Sequence, residues 1–322
     1  MTTTNFPNGL TSFGVPLIGS GPSIPVTNGT YYFVCNATGM NGSDGNDGTD
    51  MAAPMATLNG AYDKVTASMN DVIIVLPGHA ETLASNTALV LDTANVSIIG
   101  LGQGSARPTF TLNTANTNRI PISAANIKIQ GCIFIGNFLS IATLFLLTTA
   151  PNCTIDSCVF RDTSAVLGFL SIVTTTVTVN ADYLTYTNNF RSSDATTTPG
   201  PDIVIAGTMT GLTVVGNKSF HNTISNDIAA LVEHGALVMT NLMVGYNIVY
   251  SVNTESGSGA LLVKTTATTG SGQVYNNYAC SLETASTLLV TAAATQYGEF
   301  ENYFCDRATF TSGFILPAIG AN

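Results

Sequence analysis

Tryptophan is absent from the 322 residues, and lysine and arginine together number only nine. The first absence removes the largest platform on which a carbohydrate depolymerase stacks sugar rings. The second removes the phosphate-neutralising patch that nucleic-acid binding requires, and 19 acidic residues bring the formal net charge to −10. Charged residues make up 9% of the chain, against about a quarter of an ordinary soluble domain. Thr, Ser, Asn and Gly must therefore cover the surface, which makes it neutral and suited to packing against neighbours. Long hydrophobic runs are also missing: Phe138 to Leu147 spans ten residues, is interrupted by Ser140 and Thr143, and is too short for a bilayer. The opening MTTTNFP has neither a positive n-region nor an apolar h-region, so the expectation is a chain made in the cytosol, without a secretion signal and without a membrane partner. The six Cys, at 35, 132, 153, 158, 280 and 305, form no zinc-type CxxC pairs, and free thiols are expected.

What the chain does have is apolar content, 45%, enough to fill a sizeable core, and an internal repeat. NVSIIG at 95–100, NIKIQGCIF at 126–134 and CTIDSCVF at 153–160 share the alternation of a half-buried strand. VTVNADYL, LTVVGNKSF, LMVGYNIVY, QVYNNYAC and EFENYFC extend the series. In that register one column reads Ile98, Ile129, Ile155, Val179, Val215, Gly245, Tyr275, Phe300, at intervals of 24 to 36 residues. Five places on stand Gln103, Phe134, Phe160, Leu184, Phe220, Tyr250, Cys280 and Cys305. Between them runs Gly100, Gly131, Ser157, Ala181, Asn217, Asn247, Asn277, Asn302, which reads as a turn whose stacked Asn amides hydrogen-bond. Co-registered columns require each winding to lie about 4.8 Å above the last. The fold class expected is all-β: a single-stranded right-handed parallel β-helix with coils over residues 95–305. The excess of the longer coils, Arg191 to Pro201 above all, should leave the barrel as loops.

A solenoid exposes core at both ends and needs caps. Leu58, Ala61, Tyr62 and Val65 recur at helical spacing behind Thr57, which predicts a capping helix over about 55–68, within an N-terminal region 31–94. Residues 1–30 carry Pro and Gly without either period and read as an extended arm; residues 306–322 read as an apolar tail that a partner covers.

The run YYFVCNATGMNGSDGNDGTDMAAPMATLNGAYD, followed by DVIIVLPGHAETL and NVSIIGLG, resembles the opening of pectate-lyase-like β-helix proteins. The arm MTTTNFPNGLTSFGVPLIG resembles the N-termini of tailed-phage virion proteins. Together these cover the first hundred or so residues. The resemblance implies a phage particle protein, most simply a non-enzymatic capsid decoration protein. Such a protein would be a homotrimer held to the major capsid protein, or to other virion proteins, by its arm. A tailspike that binds or cleaves host polysaccharide, or a solitary lyase, is the competing implication.

A lyase needs carboxylates that hold calcium beside a proton-abstracting base. Asp156 and Asp182 occupy different column positions and are not expected to converge; Arg161 with Asp162, and Glu299 with Glu301 opposite Tyr275 and Asn277, read as solvated surface. Asp44, Asn46 and Asp50 in NGSDGNDGTD are weak calcium candidates, because the bidentate Glu that closes a twelve-residue calcium loop is missing. His79, His221 and His234 lie apart from any nucleophile elbow. Neither a catalytic set nor a cofactor is expected. Cys132 with Cys158, and Cys280 with Cys305, read as stacked buried thiols, and Tyr246, Tyr250, Tyr275, Tyr278 and Tyr303 as packing rather than as a surface stripe.

Overall fold

A computed structural model describes residues 24–306 apart from 178–179, 195–199, 223–229, 253–259, 282–287 and 291–296, together with 11–12, 15–16 and 312–315. The chain winds as an all-β, right-handed parallel solenoid of about seven turns. From Ser97 to Val290 each turn gives one short strand to each of three sheets. The first runs from Tyr31–Val34 to Tyr297–Phe300, the second from Ala80–Leu83 to Asn302–Asp306, and the third from Ile120–Ile122 to Leu288–Val290. Neighbours within a sheet are one turn apart in sequence and pair in parallel. The last strand, Ser312–Ile315, returns antiparallel along Asn302–Asp306.

Because successive strand residues point to opposite faces, each three-residue strand of the first sheet sends its middle residue inward. That file is Ile98, Ile129, Ile155, Tyr186, Val214, Val244, Val274 and Glu299. The sequence column is therefore correct for three turns. Val179 lies outside the described residues, and the place assigned to it belongs to Tyr186. From there the column runs one residue late, so Val215, Gly245, Tyr275 and Phe300 form the adjacent, outward file. The second sheet behaves in the same way: the inward file is Phe110, Phe134, Phe160, Arg191, Ser219, Val249 and Ala279, while Phe220, Tyr250, Cys280 and Cys305 lie one place further along. Neither Gln103 nor Leu184 belongs to it.

The slip happens at the turn between the first two sheets. Gly131, Ser157, Asn188, Gly216, Tyr246, Asn276 and Glu301 all have positive φ there, and the residue after each points inward. That next residue is Cys132, Cys158, Asn189, Asn217, Asn247, Asn277 or Asn302. The left-handed bend and the amide ladder are thus two neighbouring files. Ala181 belongs to neither; Asn189 takes its place. In the ladder each Asn Oδ1 accepts from the backbone N–H of the residue below it, while Nδ2 donates to a strand carbonyl of the previous turn; for Asn247 these are Asn217 N at 2.9 Å and Val214 O at 2.9 Å. All five Asn are buried.

At the N-terminal end a five-residue helix, Leu58–Tyr62, replaces the expected span of 55–68. Thr57 caps it by accepting from Gly60 N at 2.9 Å, and Leu58, Ala61 and Tyr62 join the interior core. Here the outer face of the first sheet is also covered: Phe33, Val72, Ile74 and Ile99 form a second core beneath Ile24, Met40 and Met51. This double burial is why Val72–Val75 reads as an unbroken apolar run.

Candidate functional site

The weak calcium candidates are occupied as local braces. Asp44 accepts from Ala56 N, Thr57 N and Thr57 Oγ1 at 2.9 to 3.0 Å, which anchors the start of the helix. Asn46 donates to Asn41 O and Pro54 O, and Asp50 accepts from Ala52 N. Among the described residues no group of three His, Cys, Asp or Glu side chains is placed to hold a metal ion.

Asp156 and Asp182 do not converge. Asp156 sits outward on the first sheet and accepts from Gln130 Nε2, Thr187 Oγ1, Asn188 Nδ2 and Ser157 Oγ, whereas Asp182 accepts from Thr210 N. Glu299 and Glu301 are on separate elements: the strand ends at Phe300, Glu299 continues the inward Val274 file, and Glu301 occupies the left-handed bend. Burial raises the Glu299 carboxyl. Arg161 is exposed as expected, but Asp162 turns inward, against the surface reading; it accepts from Phe169 N, Ser193 Oγ and Asp194 N. Its carboxyl is raised by burial, with Arg191 opposing the shift.

Sequence reasoning missed the buried polar cluster that follows. Arg191 and Asp202 form an ion pair at 2.9 Å, with side chains 2% and 1% exposed. Asp202 also accepts from Ser219 Oγ at 2.9 Å and Tyr186 OH at 3.3 Å. Arg191 spends its remaining donors on the carbonyls of Gly200, Phe169 and Leu170. Ser219 Oγ lies 3.4 Å from His221 Nε2, so hydroxyl, imidazole and carboxylate are gathered in one place. The roles do not match nucleophilic catalysis, because the carboxylate holds the serine instead of orienting the histidine, and the guanidinium neutralises it. Every member is buried, so the cluster pins the second sheet to the third from inside. A charged pair in an apolar file leaves no periodic signal, and isolated charges in sequence default to the surface.

Burial, reinforced by the charge of Arg191, pushes His221 down to about 3; burial also lowers His234, whose ring lies against Tyr297 OH at 2.8 Å and Thr265 Oγ1 at 3.2 Å. The unfolded chain takes up the His221 proton near pH 6.5 and the folded chain only near 3, so stability falls as pH drops from about 6.5 toward 3, and the lowered His234 acts in the same direction. The His221 contribution approaches about 1.4 kcal/mol per pH unit within that window. Thermal melts at pH 7 and pH 5 should show a larger drop for the wild type than for His221→Gln; equal drops would contradict the assignment. His79 is built differently: it accepts from Asn36 N through Nδ1 and lies 3.0 Å from Glu81 through Nε2, which ties the first turn together.

Cys132 and Cys158 share the inward file as expected and, with Cys35 and Cys153, are buried and outside any disulfide. Burial raises the thiols of Cys132, Cys153 and Cys158, Cys158 to about 12 and Cys153 to about 11, so these three are inert at neutral pH. Cys280 pairs with Cys305 in the register but is only partly buried, against the expectation of a buried thiol.

The outside of the last turns overturns the reading of Tyr246, Tyr278 and Tyr303 as packing, while Tyr250 and Tyr275 are half-buried. Tyr246, Tyr278 and Tyr303 are 59%, 56% and 40% exposed, and Phe300 is 37% exposed. On one side of the Asn ladder Tyr246 meets Tyr275 edge-on at 5.5 Å, and Tyr275 stacks on Phe300 at 5.4 Å. On the other side Tyr278 stacks on Tyr303 at 4.9 Å and 7°. Gly245 makes room for this: a Cβ there would come within 2.5 Å of the Tyr275 ring. Further along the second sheet Phe220 and Tyr250 form another outward row, and Phe190, from the row of Lys218, leans against Phe220. Ring faces that cover each other at one-turn spacing present their edges outward, a poor platform for a sugar, which stacks on a free face, and a good one for edge-on apolar packing.

No protein-family model matches the chain, and no curated protein matches it. Among solved structures it is similar to a rhamnogalacturonan lyase, at 15% identity and a TM-score of 0.40 over 79% of this chain and 69% of that one. A pectate lyase, Pel9A, gives 13% and 0.46 over 89% and 82%. The ORF18 protein of Geobacillus virus E2 gives 8% and 0.34 over 77% and 57%. The likeness is in the path of the chain, and the activities in those names are those proteins' own.

Proposed function

We propose that this chain is a non-enzymatic structural protein of a phage particle, a capsid decoration protein that works as a homotrimer and is anchored through residues 1–30. On this reading the helix Leu58–Tyr62 is the lid of the N-terminal end. One observation carries the proposal: the outer surface of the last turns is aromatic and apolar, while the carboxylates with the richest bonding, Asp156, Asp162 and Asp202, are spent on structural hydrogen bonds. A rod whose last turns point aromatic rings outward, and whose carboxylates are engaged in its own hydrogen bonds, is built to be packed against. The N-terminal resemblance to tailed-phage proteins supplies the setting.

Two experiments test this. Incubation with host surface polysaccharide and with polygalacturonate should release no reducing ends and no unsaturated products; release of either overturns the non-enzymatic reading. Deleting residues 1–30 should abolish co-sedimentation with particle shells, and unchanged co-sedimentation would overturn the anchoring role.

A further inference from the structure

We infer that the corner between the first and second sheets, over the last three turns, is the surface through which three copies of this chain associate. The inference rests on the reading of the chain as a homotrimer and supplies the contact surface for it.

The corner is a wedge with two apolar flanks. Its edge is the Asn247–Asn277–Asn302 ladder, which is fully hydrogen-bonded inside. One flank carries Tyr275 and Phe300, with Tyr246 of the bend edge-on against Tyr275, and the other Ile248, Tyr278 and Tyr303. At the opposite end of the rod the corresponding outer face of the first sheet is covered by the chain's own residues, Ile24, Met40 and Met51 among them. In the last turns five of the six flank residues are at least 37% exposed.

Three features select a second copy of the chain as the occupant. The flank residues repeat once per turn, about 4.8 Å apart, and a parallel copy has the same repeat, so every rung finds a partner rung. The chain carries −10, yet the second-sheet row Phe190, Lys218, Ile248, Tyr278, Tyr303 holds a single charge, and that charge is positive. On the flanks and the bend between them over the last three turns Glu301 is the one charged residue, so copies meet here across a nearly uncharged surface. Finally, a wedge whose flanks are both apolar cannot bury both in a two-fold dimer that pairs one flank with itself. Around a three-fold axis each wedge gives one flank to each neighbour, which closes the ring.

Light scattering after size exclusion tests the inference on the full chain. The wild type should have three times the 33.4 kDa mass of one chain. Tyr278→Ser with Tyr303→Ser, and separately Tyr246→Ser with Phe300→Ser, should each raise the concentration needed for assembly at least tenfold, with circular dichroism unchanged. Leu139→Ser with Val166→Ser, exposed elsewhere at 55% and 50%, should leave the mass unchanged. A trimer that survives replacement of both flanks overturns this surface and leaves the homotrimer standing. A wild type that stays a single chain at every concentration overturns the homotrimer itself. In that event, a tyrosine fluorescence change on adding host polysaccharide, lost in Tyr278→Ser, would identify a glycan as the occupant.

Discussion

Replacing Arg191 with methionine is expected to lower unfolding stability by about 4 kcal/mol, because it leaves the buried Asp202 carboxylate without its counter-charge. The volume is kept, so the loss reports charge and hydrogen bonding. Asp202 would retain only the hydroxyls of Ser219 and Tyr186. The carbonyls of Gly200, Phe169 and Leu170 would lose their donors as well. Adding Asp202→Asn to Arg191→Met removes the charge but not the orphaned carbonyls, so the double variant should recover about half of the loss. Urea midpoints of the three proteins decide the matter. A single variant within about 1 kcal/mol of wild type would mean that water reaches the pair, contrary to its burial. Since turns of a solenoid stabilise one another only through their neighbours, a defect here should also loosen the later turns that carry the wedge.

Asn247 provides the second large effect. Its side chain satisfies Val214 O and Asn217 N, both on the turn before it. Asn247→Ala leaves both without partners inside the barrel, at about 1–3 kcal/mol each, so a total loss of about 4 kcal/mol is expected. Asn247→Leu fills the space and orphans the same two groups; it should be no better than alanine. A leucine variant close to wild type in its urea midpoint would show that the ladder holds the fold by packing rather than by hydrogen bonds.

The architecture was legible because it repeats. Ile98, Ile129 and Ile155 fall in one file, the second-half asparagines stack as expected, and Cys132 lies under Cys158. The error came from treating the left-handed bend and the buried amide as one position. The bend accepts Gly, Ser, Asn, Tyr and Glu alike, and the inward place changes from Cys to Asn between Cys158 and Asn189. Neither file therefore keeps one residue type along the whole chain. TTTVTVNADYLTYTNNF offers two alternating stretches, and the later one, Thr185–Thr187, is the strand that pairs with Thr154–Asp156. One residue of slip exchanges inside for outside. That is why Tyr246, Tyr278 and Tyr303 read as packing when they are exposed. The buried ion pair leaves no local signal for another reason: Arg191 is on the second sheet and Asp202 at the start of a third-sheet strand, and they meet only across the interior of the solenoid.

Side-chain amide exchange of the asparagines, measured by NMR in deuterated water, tests the stacking most directly. Nδ2 protons of Asn217, Asn247 and Asn277 should persist as long as the backbone amides of the strands beside them, while those of Asn95 and Asn126, whose amide contact is solvent-exposed, vanish at once. Equal and rapid loss from both sets would contradict the winding that places the one group inside and the other on the surface.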